Sequence, residues 1–114
     1  MDSELENNWN TLLEKLNKTF GEGIELDSIL FLIGVQELGK GKQKFSKDQK
    51  IDIMHIAICT LLSPFGYYEY EGLDVDGWPH WKASEKLPSL KPAQQTLLMK
   101  QAIVDYFKEK EIIN

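Results

Sequence analysis

Three residues with reactive side chains recur at helical spacing near the middle of the chain: Asp52, His55 and Cys59. Residues three and four positions apart lie on one side of a helix, so these side chains can touch. An imidazole beside a thiol can activate a cysteine nucleophile, and histidine with cysteine also binds zinc. Together with His80, this stripe is the candidate site of a small enzyme or of a ligand-binding or metal-binding protein.

The sequence does not supply a complete set of residues for either the enzyme site or the zinc site. Zinc needs further ligands, for which the sequence offers His80 or nearby carboxylates, and a cysteine enzyme needs oxyanion donors that no motif supplies. Free cysteine is also among the most commonly buried residue types. The sequence therefore favours a structural role for Cys59. We expect no catalytic residue, no bound metal and no cofactor, and enzymatic activity is the less favoured interpretation.

A second apparent motif is a partial match to a phosphate-binding loop. Gly34, Gly39 and Lys40 fit G-x-x-x-x-G-K, but the next residue, Gly41, stands where serine or threonine should bind magnesium. The match follows an apolar segment and does not open a helix toward a phosphate. The pattern instead predicts a helix that ends at Gly39. The lysine-rich stretch that follows is a weaker candidate contact for an anionic surface: Lys40, Lys42, Lys44, Lys47 and Lys50.

The densest candidate for binding runs from Phe65 to Trp81 and reads FGYYEYEGLDVDGWPHW. It holds six of the chain's twelve aromatic residues, four acidic residues and no lysine. Tyrosine and tryptophan are enriched among binding hot spots, and neighbouring carboxylates steer a basic partner toward them. The predicted binding residues are Tyr67, Tyr68, Tyr70, Asp74, Asp76, Trp78, His80 and Trp81.

The same aromatic residues have a second interpretation, as a lid that folds inward over the helices. Their hydroxyl and indole N–H groups would then reach water or the backbone. The two roles are compatible. Aromatic faces beside carboxylates also suit a sugar, a base or a cationic ligand.

The elements that would position these residues are four predicted helices. The first places apolar residues at a 3.6-residue period, and glycines 21 and 23 end it. Its apolar face is Leu5, Trp9, Leu12, Leu13, Leu16 and Phe20. The second follows Asp27 and is apolar on almost every side, which is typical of a buried helix. Its run from Ile29 to Ile33 would also suit a short buried strand.

Capping signals mark the third and fourth helices. Ser46 and Gln49 form a capping box that opens a helix running to about Ser63. Pro92 suits the first turn of the last helix, whose apolar residues cover more than half of its circumference. That wide face predicts packing against two neighbours, or a homodimer through the last helix.

These elements predict an all-α fold: a small four-helix bundle-like domain with a long aromatic and acidic connection between the third and fourth helices. The second and third helices would be the inner pair, and a short hairpin has room within the connection. A length of 114 residues fits a single domain over 1–114.

Composition and charge make some classes of function and location less favoured than others. The net charge is −5 and all 13 basic residues are lysine, which disfavours nucleic-acid recognition. The absence of a signal-like start, the lone Cys59 and the lack of an apolar run of about 20 residues predict a cytoplasmic protein without membrane insertion. The sequence thus predicts a non-enzymatic protein-binding module that uses residues 65–81 to bind a protein partner, and the acidic residues of that segment favour a basic one.

Overall fold

A computed structural model describes residues 3–40 and 43–110 of the chain. Four helices and two strands lie within those residues, in the order α1 (Ser3–Phe20), α2 (Leu26–Leu38), α3 (Lys47–Leu62), β1 (Tyr68–Leu73), β2 (Pro79–Ala83) and α4 (Pro92–Glu109). A short 3₁₀-helix, Ser63–Phe65, follows α3. The helices and strands form two compact units, one built from α1 and α4 and the other from residues 26–89. No helix in the described ranges is both long and apolar enough to cross a bilayer.

The predicted all-α fold class is wrong, because the connection between α3 and α4 contains an antiparallel β-hairpin formed by β1 and β2. The four predicted helices are present, and the bundle arrangement is not confirmed. Tyr68, Glu69, Tyr70 and Glu71 alternate between aromatic and acidic side chains, the period of a strand. Glycines and prolines on either side interrupt the alternation, so the sequence pattern alone resembled an irregular connection. The single domain over 1–114 stays a prediction.

Helices α1 and α4 pack against each other. The buried residues of α1 are Leu5, Trp9, Leu12 and Leu16, as its period predicts, whereas Phe20 at its end is exposed. Helix α4 begins at Pro92, also as predicted, and buries Ala102, Ile103 and Val104 in its second half. The Lys100 ammonium lies 5.4 Å from the ring centre of Trp9, within cation–π range.

In the other unit, α2 and α3 pack closely along Gly34. A Cβ atom placed on Gly34 would lie 2.2 Å from the carbonyl oxygen of Ile53, so only glycine permits this approach of the two helices. Gly39 has φ +68° and follows the last residue of α2, which confirms the predicted helix end. Gly34 and Gly39 therefore serve helix packing and helix termination. Gly41 and Lys42 lie outside the described residues.

Helix α3 begins with the predicted capping box. The Gln49 N–H donates to Ser46 Oγ at 3.1 Å, and the Ser46 N–H donates to Gln49 Oε1 at 2.9 Å. On this helix the apolar Ile51 is 58% exposed, whereas Cys59 has no exposed surface. The hairpin packs against α3 on the side that carries His55 and Cys59.

Candidate binding site on the hairpin

The hairpin turn is organised by the carboxylate of Asp74. Its Oδ1 accepts the backbone N–H groups of Asp76 at 2.9 Å and Trp78 at 3.0 Å, and its Oδ2 lies 2.9 Å from His80 Nε2. These hydrogen bonds, chiefly the one from the Trp78 backbone, hold the pKa of Asp74 below its ordinary value of 3.8. Asp74 is therefore ionised at neutral pH, and its charge is used to order the turn.

The two strands pair tyrosine against tryptophan in the middle of the hairpin. Tyr70 lies opposite Trp81, with ring centres 5.2 Å apart, and a bulge between Tyr70 and Gly72 follows. Gly72 has φ +103°, a backbone conformation that favours glycine at the bulge. Tyr68, on the same face of β1 as Tyr70, meets the ring of His55 edge to face at 6.1 Å. The hairpin thus packs one aromatic residue on α3 and leaves Tyr70 largely exposed.

Trp78 connects the turn to the core of its unit. Its ring lies 6.4 Å from that of Phe45, which in turn lies 6.3 Å from Phe31, both in edge-to-face geometry. These rings pack on a buried cluster of α2 and α3 residues that includes Leu38 and Ile53. Lys40 adds a hydrogen bond to the turn, since its Nζ donates to the carbonyl oxygen of Asp76 at 2.5 Å. Trp78 therefore has the packing of a lid residue.

A cavity of about 410 Å³ opens between the hairpin and α3. Helix α3 contributes Gln49, Asp52, His55 and Ile56 to its lining. The hairpin contributes Asp74, Asp76, Trp78, Pro79, His80 and Trp81. Six polar side chains and two tryptophans thus line one space, in the volume range of small-ligand sites.

The structure brings five of the eight predicted binding residues to this cavity and leaves three outside it. Those lining it are Asp74, Asp76, Trp78, His80 and Trp81. Of the other three, Tyr67 is half-buried and stacks on Phe65 at 5.6 Å, Tyr68 packs on His55, and Tyr70 is exposed. The indole Nε1 of Trp81 is buried with no hydrogen-bond partner among residues 3–40 and 43–110.

The alternative site built on His55, Cys59 and His80 is only partly assembled. His55 and His80 line the same cavity, but Cys59 is buried outside it, with its Sγ 3.7 Å from His55 Nε2. Burial raises the pKa of the Cys59 thiol to about 11, so the nucleophilic thiolate is scarce at neutral pH. Within the described chain, no group of three or more histidine, cysteine or acidic side chains could hold a metal ion.

Several residues near the site were absent from the predicted hairpin set, although Asp52 belonged to the alternative stripe with His55 and Cys59. Asp52 and Gln49 line the cavity from α3, and Leu73 and Val75 project from the tip of the hairpin. The signal for Asp52 was its helical spacing to His55. Leu73 and Val75 could have been found from the segment GLDVDG, where they stand next to acidic residues. A buried strand would not explain apolar residues in that setting.

In comparison with known proteins, the chain matches no family model, and no curated protein or solved structure is significantly similar to it.

Proposed function

We propose that this chain is a non-enzymatic protein-binding module that contacts a basic partner with exposed apolar side chains of its hairpin. The observation that carries the proposal is the exposure of apolar side chains there: 64% for Leu73, 102% for Val75 and 55% for Tyr70. We call these three residues the hairpin contact surface. Exposed apolar side chains are costly in water, and several of them on one element are typical of interaction sites.

Charge supports a basic partner. Glu69, Glu71 and Asp76 are exposed on the same hairpin, where Lys82 is the one lysine of the sequence between Phe65 and Ala83. Carboxylates around an apolar contact attract a positively charged partner and speed its association. They also repel acidic proteins, which adds specificity.

The order of the hairpin supports binding as well. Asp74 accepts three hydrogen bonds within the turn, and Trp78 packs against Phe45 at the core. A contact surface that is already ordered loses little conformational entropy when a partner docks. The lid role of Trp78 and the recognition role of Tyr70 are therefore complementary parts of one element.

The test begins with affinity capture from a lysate of the producing cell, followed by a titration of the purified partner. The double variant Leu73→Ser, Val75→Ser should weaken the partner's affinity by at least about tenfold, because two apolar side chains no longer lose contact with water on binding. The melting temperature should change by no more than about 2 °C, since both side chains are exposed.

Ile51→Ser is the matched control, because Ile51 is also largely exposed but lies on α3 and not on the hairpin. It should leave the affinity unchanged. Raising the salt concentration should slow association with the wild-type protein. An unchanged affinity for the double variant, or equal losses for Ile51→Ser, would show that the hairpin contact surface does not carry binding.

A second candidate function is the binding of a small ligand in the cavity. The observation that favours it is the convergence of Asp52, His55 and His80 on one space beside two indoles. Cys59 does not line the cavity; it is buried, with its Sγ 3.7 Å from His55 Nε2.

Two further expectations stay predictions. A homodimer through α4 is supported by Leu97, which remains exposed on that helix, and light scattering at micromolar concentration tests it. A cytoplasmic location is supported by the free and buried Cys59, which suits a reducing compartment, and fractionation of the producing cell tests it.

A further inference from the structure

We propose that the cavity between the hairpin and α3 binds an alkylammonium group, either of a free aliphatic amine or of a lysine side chain. Both sources present one positive charge on an apolar stem. The volume of about 410 Å³ falls in the usual range for small-ligand sites. Binding there does not require the hairpin contact surface, because Leu73 and Val75 do not line the cavity.

The charge of the lining selects a cation. Asp52, Asp74 and Asp76 line the cavity, and no lysine of the described chain does so. Asp74 already accepts three hydrogen bonds within the turn. The carboxylates of Asp52 on α3 and Asp76 on the hairpin have no hydrogen bond or ion pair to another described residue. They are the two groups that a bound cation would neutralise.

An ammonium group already lies beside this turn. Lys40 Nζ donates to the Asp76 carbonyl oxygen, close to the position that a side chain on Gly77 would occupy. This contact uses a backbone oxygen and leaves the Asp76 carboxylate available. Even with the charge of Lys40 included, the three carboxylates leave an excess of negative charge around the cavity.

The apolar part of the lining favours a ligand that carries its charge on an apolar chain. Trp78 and Trp81 contribute to the lining, and indole rings attract cations and accommodate methylene groups. Ile56 and Pro79 add aliphatic surface. An uncharged ligand would cover the carboxylates without replacing their hydration, and an anion would be repelled by them. An alkylammonium group satisfies both parts of the lining at once.

The test is an NMR titration of the labelled protein at pH 8, where histidine side chains are ordinarily uncharged. Three probes are compared: pentylamine, its neutral analogue 1-pentanol, and Nα-acetyl-lysine methylamide. Pentylamine should shift the backbone and indole signals of Trp78 and Trp81 in a saturable way. Pentanol should bind at least about tenfold more weakly, because it lacks the charge that the carboxylates pair with. Tighter binding of the lysine derivative than of pentylamine identifies a lysine side chain as the source, and weaker binding identifies a free amine.

Variants assign the charge partner. Asp52→Asn should lower the affinity for pentylamine by about tenfold, since a charged hydrogen bond is lost. Asp48→Asn removes the same charge from the same helix outside the cavity lining and should lower the affinity much less than Asp52→Asn does, because Asp48 does not contact the bound cation. The proposal is overturned by the absence of saturable shifts up to about 50 mM pentylamine, by equal binding of pentanol, or by an Asp52→Asn variant that binds as the wild type does. Each of these results is independent of whether a protein partner binds the hairpin contact surface.

Discussion

Substitution of Gly34 by alanine sets two physical effects against each other. Alanine stabilises a helix interior by about 1 kcal/mol relative to glycine, so α2 considered alone should become more stable. In the structure, however, the new methyl group would lie 2.2 Å from the Ile53 carbonyl oxygen and 2.5 Å from its Cγ2 atom. Ordinary contacts begin near 3.4 Å, so the two helices would have to separate locally by about 1 Å.

Overpacking a tight core costs about 1–3 kcal/mol, and a clash with backbone belongs at the upper end because a main-chain oxygen cannot change rotamer. After subtraction of the gain in helix propensity, we expect Gly34→Ala to lower the free energy of unfolding by about 2 kcal/mol. For a chain of this length that corresponds to a fall in melting temperature of about 8 °C.

Urea unfolding followed by far-ultraviolet circular dichroism measures the effect. Gln36→Ala, an exposed substitution in the same helix, is the control and should change stability by less than about 0.5 kcal/mol. Adding Ile53→Val should not restore stability, because the nearest atom belongs to the backbone. A Gly34→Ala protein as stable as the wild type, or more stable, would refute the close approach of α2 and α3.

Three more outcomes are expected. With a pKa of about 11, the Cys59 thiolate at pH 8 is about a hundredfold scarcer than for a thiol of pKa 9.0. A thiol reagent should therefore label Cys59 slowly until urea unfolds the protein. Equal labelling rates in the folded and unfolded states would contradict its burial. Because the pKa of Asp74 is lowered on folding, its stabilisation of the turn is complete above pH 3.8 and is lost as the pH falls through the folded-state pKa. The Trp78 amide signal should therefore titrate below pH 4 in the wild type and stay constant in Asp74→Asn, and identical titrations would argue against this bond. Ser46→Ala should cost about 1 kcal/mol in urea unfolding, whereas Ser46→Asp, which keeps an acceptor, should cost less; equal costs would exclude the cap as the cause.

The helices were predictable because each carries a local signal that tertiary contacts reinforce. The period of Leu5, Trp9, Leu12 and Leu16 places one stripe on one side of α1, and that stripe is buried. The capping box at Ser46 and the glycine stop at Gly39 likewise depend on backbone geometry within a few residues, which is encoded where it acts.

The hairpin and its cavity were not predictable in the same way. A strand pair needs a partner segment, and the register of β1 with β2 depends on the bulge near Gly72 and on the hydrogen bonds of Asp74, which no local period reveals. The spacing of Asp52, His55 and Cys59 predicted one side of α3, and Cys59 Sγ does lie 3.7 Å from His55 Nε2, but no local pattern shows what covers that side. The hairpin covers that side of α3, so Cys59 is buried while Asp52 and His55 reach the cavity.

By itself the sequence determined where helices begin and end, which of their faces are apolar, and that aromatic and acidic residues concentrate between positions 65 and 81. Those properties follow from residue types within one or two helical turns. Tertiary structure decided which carboxylates remain free, which tryptophan packs into the core and which tyrosine stays exposed. These outcomes depend on the approach of the hairpin to α3, a contact between segments distant in the chain, and on the glycine that lets α2 and α3 pack so closely.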